Sequence, residues 1–124
     1  MHSSRVPPLA WLVLLLLLVG GLAGCEDAIE VGAVNDCGRT VEARADDVGP
    51  GGSTVSWKTL TPGARRQLVA ASTTATRLYF EVRTDNDETT LTRFDVATAN
   101  LPRAPADSGY KVEIQLTGDR CPHT

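Results

Sequence analysis

Residues 110–117 read Tyr-Lys-Val-Glu-Ile-Gln-Leu-Thr, and this stretch decides the fold class. Apolar side chains occupy every second position, with charged or polar residues between them. Successive side chains of a β-strand point to opposite faces, so this period of two predicts a strand with one buried side. The residues predicted on that side are Tyr110, Val112, Ile114 and Leu116.

The same alternation recurs between residues 28 and 97, without any helix-like stretch. The other predicted strands cover residues 29–33, 41–43, 55–57, 67–71, 77–83 and 91–97. Turns are predicted at 35–36, 46–53, 61–63 and 85–88, where Gly, Pro, Asp and Asn are concentrated.

Seven short strands separated by turns predict an all-β fold, a small antiparallel two-layer β-sandwich of immunoglobulin-like architecture. Residues 107–110, Asp-Ser-Gly-Tyr, resemble the corner motif of immunoglobulin domains. The tyrosine falls one residue early, and no cysteine follows two residues later. We therefore predict the sandwich architecture, and not membership of that family.

The N-terminus has the three parts of a secretory signal. His2 and Arg5 form a short basic region, residues 9–19 are an unbroken apolar run, and the small residues Gly20, Gly21, Ala23 and Gly24 follow. A membrane-spanning helix needs about 20 apolar residues, so a retained transmembrane anchor is disfavoured.

Leu22-Ala23-Gly24-Cys25 resembles the lipobox of bacterial lipoproteins, which signal peptidase II cleaves before the cysteine. The resemblance implies a diacylglyceryl group on the Cys25 sulfur and attachment to the extracytoplasmic face of the cell membrane. Two acyl chains suffice for stable anchoring. The predicted organisation is a signal peptide at 1–24, a lipidated tether at 25–27 and a β-sandwich domain at 28–124. The alternative is conventional cleavage after Ala23, which would release a soluble protein.

Three cysteines occur in the chain, Cys25, Cys37 and Cys121. If Cys25 carries the lipid, the other two remain, and exported proteins seldom keep free thiols. We therefore predict a Cys37–Cys121 disulfide. Closing so long a loop contributes about 4.5 kcal/mol in the chain-entropy description. No metal site is predicted, because His123 is the one histidine after the signal peptide and lies in the terminal tail.

The predicted mature chain of residues 25–124 is acidic, with 11 basic against 15 acidic side chains once Arg5 is removed. No basic patch is present, so nucleic-acid binding is not expected. The preference for arginine over lysine, with abundant Ala and Gly, is typical of a GC-rich genome such as that of an actinobacterium.

Catalytic chemistry is not predicted. A serine or cysteine nucleophile needs a nearby base, and the one histidine after the signal peptide, His123, lies in the terminal tail. Paired carboxylates could serve a glycosidase, but the acidic residues fall in turns or on the polar sides of strands, where solvated charge explains them. Asp85, Asp87 and Glu88 are candidate calcium ligands, but their spacing lacks an EF-hand's glycine and distant glutamate, so an acidic hairpin turn is favoured. No cofactor is expected.

Two aromatic residues are candidates for contacts. Trp57 is expected in the core, with an exposed binding platform as the alternative. Tyr79 lies on the polar side of its strand, and the candidate contact face comprises Arg77, Tyr79, Glu81 and Arg83. A cross-strand surface cluster is the structural alternative for that face.

These observations lead to a non-catalytic binding or interaction module of the cell envelope, held at the membrane through Cys25. Its expected partner is an envelope protein or a cell-wall component. The alternatives are a passive structural or accessory lipoprotein and a secreted soluble β domain such as a small inhibitor.

Overall fold

The computed structural model describes residues 28–49 and 53–124, which form two β-sheets packed face to face. The strands are β1 (Ala28–Asn35), β2 (Val41–Asp46), β3 (Lys58–Leu60), β4 (Arg65–Ser72), β5 (Arg77–Thr84), β6 (Asp87–Ala97) and β7 (Val112–Leu116). The predicted all-β sandwich of about seven strands is therefore confirmed. The predicted signal peptide, the lipidated tether with Cys25, and residues 50–52 of a predicted turn lie outside the described residues.

One sheet has the strand order β4-β1-β7, and the other has the order β3-β2-β5-β6. Every pairing between these strands is antiparallel except that of β1 with β7, which run parallel with Asn35 opposite Leu116. β6 ends near the starts of β1 and β7, because Thr98, which follows β6, lines the same surface cavity as Ile29 and Val112. β7 therefore starts at the same end of the sandwich as β1, and the two strands run in the same direction.

The hydrophobic core lies between the sheets. Its largest fully buried side chains are Phe80, Leu60, Leu78, Ile114, Leu116, Val31, Val41 and Val82. Phe80 of β5 stacks on Phe94 of β6 with ring centroids 5.0 Å apart. Burying one such aliphatic or aromatic side chain contributes about 1.5–3 kcal/mol, so this layer supplies the main stabilisation of the domain.

The predicted disulfide between Cys37 and Cys121 is present, with 5.7 Å between the two Cα atoms. Cys37 follows the end of β1, and Cys121 follows β7 and the 3-10 turn Gly118–Arg120. Because β1 and β7 are parallel, their C-terminal ends lie together, and this brings the distant cysteines within bonding reach.

Hydrogen bonds hold the C-terminal segment on the opposite sheet as well. The hydroxyl of Thr92 in β6 donates to the carbonyl of Cys121 at 2.8 Å, and the N–H of His123 donates to the carbonyl of Thr90 at 2.8 Å. The disulfide and these two bonds therefore link both sheets at one end of the sandwich.

Asn35, which is fully buried, organises the same end. Its Nδ2 donates to the carbonyls of Arg39 and Leu60 at 2.7 and 2.9 Å, and its Oδ1 accepts from the N–H of Cys37 at 2.9 Å. Buried polar groups stabilise a fold when their hydrogen-bonding capacity is used, as it is here. One side chain thus fixes the loop before β2 against the end of β3.

Two strands differ most from the predicted bounds. The third strand is Lys58–Leu60, so Val55 and Trp57 precede it and the prediction of a 55–57 strand was wrong. The sixth begins at Asp87, because the hairpin turn consists of Asp85 and Asn86 alone, with φ angles of 51° and 58°. Two positive φ angles in a two-residue loop are typical of a type I′ turn, to which Asp and Asn are suited.

Candidate functional site

The outer surface of the four-stranded sheet carries two rows of ion pairs. We call it the charged face, formed by Glu42, Arg44, Asp46, Trp57, Arg77, Tyr79, Glu81, Arg83, Glu88, Arg93 and Asp95. Strand register builds it, because outward residues of β2, β5 and β6 lie directly opposite one another. Inward residues of the same strands, such as Ala43 and Val82, belong to the core.

Glu81 is the centre of the first row. Its Oε1 lies 2.8 Å from Arg44 Nη2, and its Oε2 lies 2.8 Å from Arg93 Nε. Burial raises the pKa of Glu81, but the hydrogen bonds from Arg93 and Arg44 outweigh it, so the net pKa lies below its ordinary value. Glu81 is 5% exposed, and its carboxylate holds two guanidinium groups in place.

Arg83 is the centre of the second row. Its Nε lies 3.1 Å from Glu42 Oε1, and its Nη1 lies 2.7 Å from Glu88 Oε1. Glu42 Oε1 also accepts the N–H of Asn86 at 2.7 Å, which ties the β5–β6 turn to β2. The second row therefore fixes the hairpin end of the sheet.

Trp57 covers the guanidinium groups of both rows. The Cζ of Arg83 lies 3.9 Å from the ring centroid, and the Cζ of Arg44 lies 4.3 Å from it, which is cation–π geometry. The expectation that Trp57 fills the core was wrong. Because β3 starts only at Lys58, the tryptophan is in the preceding loop, where the indole lies half-buried over the sheet.

A cavity of about 310 Å³ opens on the charged face beside the first row. Residues of β2, β5 and β6 line it, together with Gly49 and Ser53 from the β2–β3 loop. The side chains that matter for its chemistry are Arg44, Asp46, Tyr79, Glu81, Arg93 and Asp95. Its volume is at the lower end of the range for small-molecule sites, and its lining mixes aromatic and charged groups.

Asp46 is the unusual member of this lining, because it is 5% exposed and makes no ion pair among the described residues. Its Oδ1 accepts the N–H groups of Val48 and Gly49 at 3.1 and 3.4 Å. Its Oδ2 has no hydrogen-bond partner in residues 28–49 and 53–124. Sequence analysis missed this residue, since an aspartate before a turn is ordinarily a solvated turn residue.

The candidate contact face of Arg77, Tyr79, Glu81 and Arg83 does lie on one side of β5. Glu81 and Arg83 are buried within the ion-pair rows, so the expectation that Glu81 is a solvated surface charge was wrong. Arg77 is exposed and pairs with Asp95 at 2.7 Å, and Tyr79 is half-buried in the cavity wall. Accessible contacts on β5 are thus Arg77 and Tyr79, and their binding role stays a prediction.

The outer surface of the three-stranded sheet is built differently. The ring of Tyr110 covers Gly32 of β1 so closely that a Cβ there would lie 2.3 Å from the ring. The Tyr110 hydroxyl donates to Glu113 of β7, which also pairs with Arg65 at 3.1 Å. Burial, with the hydrogen bond to Glu113, raises the pKa of Tyr110 well above its ordinary value.

The prediction that Tyr110 shares the inward side of β7 was therefore wrong. The strand begins at Val112, and the preceding segment turns the ring outward over the sheet. The inward positions of Ile114 and Leu116 are confirmed.

Two of the three hairpin carboxylates considered as calcium ligands, Asp87 and Glu88, make other contacts. Asp87 Oδ1 accepts from the hydroxyl and the N–H of Thr89 at 2.6 and 3.0 Å, and these hydrogen bonds lower the pKa of Asp87. Glu88 pairs with Arg83. Within residues 28–49 and 53–124, no three His, Cys, Asp or Glu side chains are grouped so that they could hold a metal ion.

No protein-family model, no curated protein and no solved structure matches this chain. No helix in the part of the chain that the structure describes is long and apolar enough to cross a bilayer.

Proposed function

We propose that the protein is a lipid-anchored, non-catalytic binding module of the cell envelope, with its binding site in the cavity of the charged face. The observation that carries this proposal is the 310 Å³ cavity, which opens beside Tyr79 on a surface stiffened by ion pairs. A binding site with side chains already held in place loses little conformational entropy when it takes a ligand. The lipobox at residues 22–25 supports the anchor.

The position of the cavity agrees with a partner close to the membrane surface. The cavity lies between the end of β2 and the start of β5, beside the β2–β3 loop. These segments belong to the end of the sandwich where β1 begins, since Ala28 pairs with Ser72 just before the β4–β5 turn. Cys25 is three residues before Ala28, and three residues span at most about 10 Å.

Fractionation of a Cys25→Ser variant tests the anchor. We expect wild-type protein in the membrane fraction with two acyl chains on Cys25 by intact mass spectrometry, and the variant in the soluble fraction. The Glu26→Gln variant, changed beside the cysteine, is the control and stays membrane-bound. Equal membrane association of wild type and Cys25→Ser contradicts the anchor. Release of the wild type with Gly24 as its first residue supports the secreted alternative.

Crosslinking in intact envelopes, followed by affinity capture, tests the binding role. A reproducible partner should be lost with Tyr79→Ala and kept with Lys111→Ala, which alters an exposed residue outside the cavity. Both variants should retain the wild-type thermal midpoint within a few degrees, so that loss of capture reports the site and not the fold. Capture that is indifferent to Tyr79 contradicts a binding role for the cavity and supports a passive accessory lipoprotein.

A further inference from the structure

A carboxylate, an aromatic ring and a second carboxylate stand side by side in the cavity. Asp46 of β2 lies directly opposite Tyr79 of β5, and Tyr79 lies directly opposite Asp95 of β6. Directly opposed side chains have Cβ atoms about 5 Å apart, so the three groups border one small volume. We call these residues the acidic-aromatic row.

One acid in the cavity wall, Asp46, makes no ion pair of its own among the described residues. Arg44 and Arg93 both bind Glu81, each at 2.8 Å. Asp95 binds Arg77, which approaches from outside the cavity. Asp46 has no cationic partner among the described residues, and its Oδ2 is buried without a hydrogen bond. A buried carboxylate oxygen without a donor is unfavourable, and each such atom in a folded protein calls for a physical explanation.

We infer that the cavity binds a primary ammonium group, which donates to Asp46 Oδ2 beside the ring of Tyr79. The ammonium group supplies both things that Asp46 lacks, a positive charge and an N–H donor. The aromatic ring adds cation–π attraction. This inference rests on the proposed function, because it names the ligand chemistry of the same site.

Other ligand chemistries fit the cavity less well. Ca²⁺ and Mg²⁺ take about six or more oxygen ligands, Zn²⁺ takes about four ligands, and the described residues hold no group of three His, Cys, Asp or Glu side chains for any of them. An anion would have to compete with Glu81 for Arg44 and Arg93, both already paired at hydrogen-bonding distance. A volume near 310 Å³ suits one lysine side chain of a partner protein or one small free amine.

Backbone amide NMR titrations of the mature domain test the inference with defined probes. N-acetyl-lysine-N-methylamide carries the ammonium group on a peptide unit, and pentylamine carries it without one. N-acetyl-norleucine-N-methylamide is the uncharged counterpart, and N-acetyl-glutamate-N-methylamide is the anionic one. We expect the two ammonium probes to shift the amides of Ser53, Tyr79 and Asp95, and to bind at least about tenfold more tightly than the uncharged probe.

The decisive variant is Asp46→Asn. Its remaining carbonyl oxygen still accepts from Val48 and Gly49, so the loop is preserved while the charge is removed. Affinity for the ammonium probes should fall about tenfold. Asp107→Asn, which removes an exposed charge outside the cavity, should bind like wild type. Tighter binding of the lysine probe assigns the group to a partner protein, and tighter binding of pentylamine assigns it to a free amine.

Several results would overturn the inference: equal binding of the charged and uncharged probes, preference for the anionic probe, no binding of the ammonium probes, or undiminished binding by Asp46→Asn. Any of these together with Tyr79-dependent capture in envelopes refutes the ammonium ligand alone. Capture that is independent of Tyr79 refutes the binding role of the cavity itself.

Discussion

The two outer faces of this sandwich use the same alternating pattern of residues and are covered differently. On the three-stranded sheet, Tyr110 closes over Gly32 and leaves no space between ring and backbone. On the four-stranded sheet, Trp57 covers the ion pairs from one side, and a cavity remains beside them. The difference teaches that the position of one aromatic ring decides how a sheet surface is covered, and the proposed binding site lies on the surface that carries the ion pairs.

The largest expected effect is on the outer surface of the three-stranded sheet, which we call the closed face because Tyr110 covers Gly32 there. Gly32→Ala places a Cβ where the Tyr110 ring lies, so the ring must move, and we expect a loss of about 3 kcal/mol in the free energy of unfolding by urea denaturation. The same substitution in a Tyr110→Ala background should have an effect below about 1 kcal/mol, because the clash is gone. An equal loss in both backgrounds contradicts the close packing of ring and glycine.

On the charged face, Glu81→Gln should reduce the free energy of unfolding at pH 7 by about 2 kcal/mol, since two guanidinium groups lose their shared carboxylate. Folding lowers the Glu81 pKa below its ordinary value of 4.5, so its stabilisation is complete above that pH and disappears as the pH falls through the lower folded value. Denaturation between pH 3 and 7 should therefore be less pH-dependent in the variant. The control is Asp119→Asn at an exposed site, which should change the free energy of unfolding very little. If Glu81→Gln loses no more stability than this control, the role of Glu81 is refuted.

Tyr110→Phe removes one hydrogen bond from the closed face and keeps the ring over Gly32. We expect a loss of about 1 kcal/mol at pH 7. Folding raises the Tyr110 pKa above its ordinary value of 10.0, so its stabilisation is complete below pH 10 and is lost as the pH rises further. Wild type should thus lose stability above pH 10 more steeply than the variant. Parallel alkaline curves for the two proteins contradict the assignment.

The smallest effect is expected at the exposed margin of the charged face. Arg77 and Asp95 form an ion pair in which both side chains are about half exposed. Arg77→Gln should change the free energy of unfolding by less than about 0.5 kcal/mol, and 0.5 M salt should remove even that difference. A loss as large as that of Glu81→Gln would show that the pair is part of the buried network.

The strands were predictable because their signal lies in neighbouring residues, and the disulfide was predictable because it follows from the number of cysteines. The period of two in residues 77–83 and 110–117 depends only on which side chains avoid water, and the disulfide was predicted from the number of cysteines. The four residues of the candidate contact face also share one side of β5 as predicted.

The site itself required the fold. Trp57 lies next to two arginines that are 13 and 26 residues away in sequence, and only the pairing of β2 with β5 brings these together. The unpartnered oxygen of Asp46 depends on which groups surround it after packing. No local pattern carries that information, because burial and hydrogen-bond partners are properties of the assembled sheets.

By itself, the sequence determined that the chain is built from β-strands, which faces of most strands are apolar, and which two cysteines pair. It also carries residues 22–25, which resemble a lipobox and from which the membrane anchor is predicted. The tertiary structure decided that β1 and β7 run parallel, that Tyr110 covers Gly32 on one outer face, and that a cavity with Asp46 in its wall lies on the other. The physical reason is that side-chain periodicity is a property of neighbours in sequence, whereas cavities and unmatched charges arise only between strands that are distant in sequence.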